Sequence, residues 1–210
     1  MLDVHPPHHG ISGVRDFFIH LLTITVGLLI ALGLEAGVEA LHHRNERKEA
    51  EATLRVELTQ NRLTLVKNQK ESNLELDGLA NILNFLEDLR EGKKGDPSVF
   101  NMNLDVDPLQ SAGWHTASAT GALSYMRYEE VQRFSAAYQE QQLFEEAVAK
   151  TFSHFTILDT YIAKGHDPRE MKPQDVESAI GDVRQTMADV KTMADLSRAT
   201  LIMYDDALKQ

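Results

Sequence analysis

Hydrophobic positions along the chain change period from one stretch to the next, and each period predicts an element. Residues 17–34 (FFIHLLTITVGLLIALGL) form an unbroken run of eighteen residues without Asp, Glu, Lys or Arg. At about 1.5 Å of rise per residue, such a helix covers roughly 27 Å, close to the hydrocarbon thickness of a bilayer. Its polar members are cheap in lipid: Thr23 and Thr25 can return their hydroxyls to helix carbonyls, and His20 lies near the start. Downstream, Leu54, Leu58, Leu65, Leu76, Leu79, Leu83 and Leu86 recur at three- and four-residue steps, widened by Ile82, Phe85 and Leu89. That spacing predicts a helix burying one face. No proline lies between Pro7 and Pro97, so the run and this helix are expected to be continuous or softly broken. The pattern lapses over residues 67–73 (KNQKESN), which are expected to be solvated or paired with another helix.

The turn residues GKKGDP at 92–97 end this helix. A short helix is expected from Pro108 or Ser111 through residues 111–126. A long one should start at 128–130 and bury Val131, Phe134, Ala137, Tyr138, Gln141, Phe144, Val148, Phe152, Phe155, Leu158 and Ile162. Residues 164–173 (KGHDPREMKP) form a loop. A last helix opens at Pro173, a residue favoured in a first turn. It repeats Val176, Ile180, Val183, Met187, Val190, Ala194, Leu201, Tyr204 and Leu208 at nearly heptad spacing, as in bundles. No stretch alternates with period two. The fold class is therefore all-α: an N-terminal transmembrane helix continuing into a long helix, packed in an antiparallel three- to four-helix bundle, with the helices rising, descending and returning. The divisions are a tail (1–16), a membrane helix (17–41) and a bundle domain (42–210).

Flanking charge refines the reading of the run. Arg15 alone precedes it, whereas Arg44, Arg47, Lys48 and Arg55 follow. This weakly basic start and the length of the run favour a retained anchor over a cleaved signal peptide. The positive-inside rule puts the N-terminus outside and the bundle in the cytoplasm. A periplasmic bundle behind an N-terminal anchor is the alternative. Glu35 and Glu39 belong at headgroup depth or against a partner helix, because a carboxylate at mid-bilayer is expensive. Gly27 and Ala31, then Gly33 and Gly37, sit at four-residue spacing, which lets two helix backbones approach closely. Glycine is also common in membrane helices, so self-association is one of two readings.

A net charge of −11 removes nucleic acid from the expected partners, since phosphate binding needs a basic face. Membrane lipid, a second copy and an unknown protein remain. There is no cysteine, hence no disulfide and no thiolate metal site.

Two stretches carry a resemblance. Residues 26–32 read VGLLIAL and lead directly into a charged helix. Residues 114–138 read W-x2-A-x2-TGAL-x2-M-x-YEEVQRF-x3-Y. The layout resembles an uncharacterised bacterial family of single-pass membrane proteins with an all-helical domain. The family pattern has an Asn-Asn-Trp run after the span, where this chain has EAGVEAL at 35–41. The resemblance covers about a third of the chain and implies an inner-membrane location and a shape, with no reaction attached.

Candidate chemistry is sparse. Residues 111–126 surround the single tryptophan with small residues. Either a ligand or partner groove lies beside Trp114, His115 and Thr120, with Tyr128 at its end, or small residues allow a close helix crossing that buries Trp114, the commoner use of such residues. The histidines of HPPHH (His5, His8, His9) and the His42–His43 pair do not present three or four converging ligands. There is no nucleophile elbow, phosphate loop or dinucleotide motif, and no paired ExxH set for a di-iron bundle. Adjacent acids such as Glu145 and Glu146 read as solvated faces. The chain is expected to be non-enzymatic and to hold no cofactor or metal.

Overall fold

The computed structural model describes residues 13–100, 104–161 and 167–209. Among them there is no strand. Four α-helices are present: α1 (Val14–Arg90), α2 (Ala112–Ala119), α3 (Tyr128–Asp159) and α4 (Pro173–Ala207). Ile162 and residues 164–166 of the expected loop lie outside the described residues, as does most of the N-terminal tail.

The chain divides into two units, Met1–Lys48 and Glu49–Gln210. In the first, α1 supplies a helix long and apolar enough to cross a membrane, with no part of its most apolar eighteen-residue window buried. Thr23 and Thr25 donate to Ile19 O and Leu21 O at 2.9 and 2.8 Å, so neither hydroxyl is left unpaired. No side chain in the window is covered by protein.

In the second unit, α1, α3 and α4 pack around a core of Leu54, Leu58, Leu65, Ile82, Leu86, Phe134, Val183, Val190, Met193 and Tyr204. Each such side chain, fully removed from water, contributes about 1.5–3 kcal/mol before entropy is charged against it. Side-chain pairs fix the directions. Arg62 meets Asp205 while Glu87 meets Arg184, so α4 runs antiparallel to α1. Gln141 meets Tyr204 and His154 meets Asp189, so α4 is antiparallel to α3 as well. Glu57 meets Tyr138 and Asn61 meets Gln141, so α1 and α3 are parallel. Thus α3 rises with α1 and does not descend. Residues 104–111 run back alongside α1, Asp107 bonding to Asn68 and Gln110 to the earlier Asn61, so the return precedes α3.

Local chemistry explains the ends. At the C-terminus of α1, Gly92 takes φ +77°, and the N–H groups of Gly92 and Lys93 return to Leu89 O and Asp88 O. This satisfies two orphan carbonyls through the left-handed residue that only glycine adopts cheaply. Gly95 packs against the Phe85 ring, where a Cβ would come within 2.4 Å, and that ring and Phe100 meet edge-on at 5.3 Å. The short helix expected over 111–126 is interrupted. It ends at Ala119, Gly121 reverses the chain at φ +77°, and a 3-10 turn, Ala122–Tyr125, follows. Phe152, expected in the core, is 62 % exposed.

Candidate functional site

Besides Ser72, three polar side chains interrupt the buried stripe of α1: Glu57, Asn61 and Asn68. Steps of four and seven residues put them on the same face as Leu54, Leu58 and Leu65. Each holds the returning segment. Asn68 accepts from Asp107 N at 3.0 Å and donates to Asp107 O at 2.9 Å. Asn61 does the same to Gln110, at 2.8 and 2.6 Å. Glu57 accepts from Gly113 N at 2.7 Å, at the first turn of α2. An extended segment packed against a helix cannot satisfy its own peptide groups, and these side chains supply the partners that a sheet would otherwise give. The stretch 67–73 is therefore no gap in the helix: Asn68 and Ser72 point inward, with Ser72 bonded to Asn68 O.

The network continues into α3 and α4. Tyr138 donates to the second oxygen of Glu57 at 2.5 Å. Gln141 accepts from Asn61 and Tyr204 and donates to Gln110 O and Glu145. Burial, reinforced by the hydrogen bond to Glu57, pushes the Tyr138 phenol well above its ordinary range. Burial also pushes up Tyr204. Both hydroxyls therefore keep their protons, which the network uses to donate.

Above this network lies a groove of about 690 Å³, open on one side, between α2 and α3. Its floor is aromatic: Trp114 stacks on Tyr138 with centroids 5.1 Å apart and planes 20° apart. Ser111, His115, Ser135, Gln139 and Glu145 stand around it. Glu145 is the only charged carboxyl in the lining, and no Lys or Arg contributes. Gly113 sets the approach of α2, since a Cβ there would come within 3.1 Å of Thr53 and 3.2 Å of both Glu57 oxygens.

The residues singled out in the sequence separate. Trp114 and His115 line the groove. Thr120 lies outside the lining and returns its hydroxyl to Thr116 O at 3.0 Å. Tyr128 is 71 % exposed at the start of α3, where its hydroxyl accepts from Gln132. Trp114 is part-buried, while Gly113 and Ala117 on the same helix are buried, so α2 has a close-packed face as well as an open one. Gly27, Gly33 and Gly37 each have open space where a Cβ would project, and Ala31 is exposed. Sequence reasoning placed Tyr138 and Gln141 in the core but missed Glu57, Asn61 and Asn68. Their signal was present as polar residues in phase with the leucine stripe.

A second polar cluster joins α3 to α4. Buried Asp189 accepts from Lys150 at 2.9 Å and pairs closely with His154. Burial alone would raise its carboxyl, but the hydrogen bonds from Lys150, Gln185 and His154 outweigh it and hold the group below its ordinary value. Just past the apolar run, His42 and His43 pair separately with Glu46 and Glu39. Among the described residues, no three His, Asp or Glu side chains converge as for a metal ion. His5, His8 and His9 lie outside them.

Comparison with known proteins finds no match to a family model, to a curated protein or to a solved structure.

Proposed function

We propose that this chain is a non-enzymatic, single-pass protein of a bacterial inner membrane whose helical unit serves as an interaction, scaffold or sensing module. The uncharged run of residues 17–34 carries the reading. Burying no part of its most apolar window within the fold, it leaves a continuous apolar cylinder that water would not tolerate and lipid would cover. The basic cluster Arg44, Arg47 and Lys48 favours a cytoplasmic helical unit. The small residues Gly27, Ala31, Gly33 and Gly37 supply a face on which a second copy could pack, and the resemblance to single-pass bacterial proteins agrees with this location.

The groove beside Trp114 favours a second reading, an extracytoplasmic ligand-binding sensor on the same anchor. Topology separates the two. Reporters that are active only in the cytoplasm or only in the periplasm are fused after Gln210. Cytoplasmic activity alone supports the first reading, and periplasmic activity alone overturns it in favour of the second.

A further inference from the structure

We propose that the groove between α2 and α3 binds a small organic cation, an ammonium or guanidinium compound, with its charge between the Trp114 indole and the Glu145 carboxylate. This deepens the sensing role proposed above and does not depend on which side of the membrane the unit occupies. Size comes first: about 690 Å³ lies within the range of small-molecule sites, roughly 300–1,000 Å³.

Chemistry narrows the class. The lining holds one carboxylate and no cationic side chain, so an anion would be desolvated with nothing to pair it. The walls are mostly hydroxyl and amide groups, which gives a large apolar ligand little to bury against. Trp114 offers the ring type that best attracts a cation, and Tyr138 behind it holds the indole in place by stacking. One oxygen of Glu145 accepts from Gln141 at 2.8 Å, which orients the carboxylate and leaves the other oxygen for the ligand. Beneath the floor, Tyr138 and Gln141 have their polar atoms committed to Glu57, Asn61, Gln110 and Tyr204. The free polar groups are those at the rim: Ser111, His115, Ser135 and Gln139. They suit a ligand with hydroxyl or amide groups beside its charge. The net charge of −11 also draws cations toward the surface.

Trp114 is the only tryptophan of the chain, so its fluorescence reports on this groove alone. The full chain in non-ionic detergent is titrated with agmatine and with spermidine, and at matched ionic strength with glucose and with citrate. The proposal expects a saturable change with at least one of the two cations and none with glucose or citrate. Glu145→Gln, which keeps an acceptor for Gln141, should weaken the cation response about three- to fivefold, the size of one exposed charge pair. Trp114→Leu, followed by calorimetry, should weaken it further. No saturable response to either cation, an equal response to citrate or glucose, or an affinity unchanged in Glu145→Gln overturns the proposal. Membrane extraction tests the anchor without involving the groove, so failure of one leaves the other standing.

Discussion

Asn61 pairs with both peptide groups of Gln110, forty-nine positions away, accepting from its N–H at 2.8 Å and donating to its carbonyl at 2.6 Å. The same amide nitrogen reaches Gln141 at 3.2 Å. One side chain thereby ties α1, the returning segment and α3 together. Asn61→Leu keeps similar volume but leaves the Gln110 N–H without this acceptor and removes a donor from two carbonyl oxygens. The expected loss is about 1–3 kcal/mol per buried group left unpaired. Thermal unfolding reads the total, and hydrogen exchange should show the Gln110 amide losing protection first.

Gly113 should be the least tolerant position of α2. An added Cβ meets Thr53 at 3.1 Å and the Glu57 oxygens at 3.2 Å, so α2 must move away from α1. Gly113→Ala is expected to cost about 1–3 kcal/mol, the usual range for overpacking. It should also shift the Trp114 emission, because the indole rides on the displaced helix.

These two positions show how far the sequence could be read. The leucine steps of α1 and the near-heptad of α4 identified the bundle, because hydrophobic spacing records which face is covered. Gly92 and Pro173 marked helix ends, because backbone geometry restricts those sites to few residues. The direction of α3 was not legible. It depends on residues 104–111 running back along α1, where the peptide groups of Asp107 and Gln110 are satisfied by Asn68 and Asn61, 39 and 49 positions earlier. The lapse over 67–73 has the same cause: Asn68 looks polar in sequence yet is buried against a backbone segment. Trp114 and His115 were found from composition. Ser135, Gln139 and Glu145 were not, since on α3 they resemble any solvated face.

Asp189 gives a pH-dependent stability with a definite sign. Its carboxyl is held below the ordinary value of 3.8 in the folded chain. The contribution is therefore fully present above that value and is lost as the pH falls through the lower folded one. Asp189→Asn should lower stability at neutral pH by about 1–3 kcal/mol. The gap between variant and parent should narrow only below about pH 4, where the parent carboxyl also becomes neutral. Thermal unfolding from pH 7 down to pH 3 checks this. A gap that widens as the pH falls from about 4 to about 3 would contradict it.

Gly33→Ile and Gly37→Ile test whether copies of the span pack together. In a single chain a Cβ at either position meets nothing within 4 Å, so neither substitution disturbs the helix by contact. Isoleucine would hold two backbones apart at a small-residue crossing. Self-association in a membrane two-hybrid assay should drop sharply for both. An unchanged signal would remove these glycines from any interface.

The central claim is that residues 17–34 sit in lipid, and alkaline carbonate extraction of membranes tests it most directly. The full chain should stay in the pellet with integral proteins. Arginine at both Leu28 and Leu29, at about 2.5–3.5 kcal/mol each near a helix centre, should move it to the supernatant. Release of the unmodified chain by carbonate, or its recovery in the soluble fraction before treatment, would contradict the account.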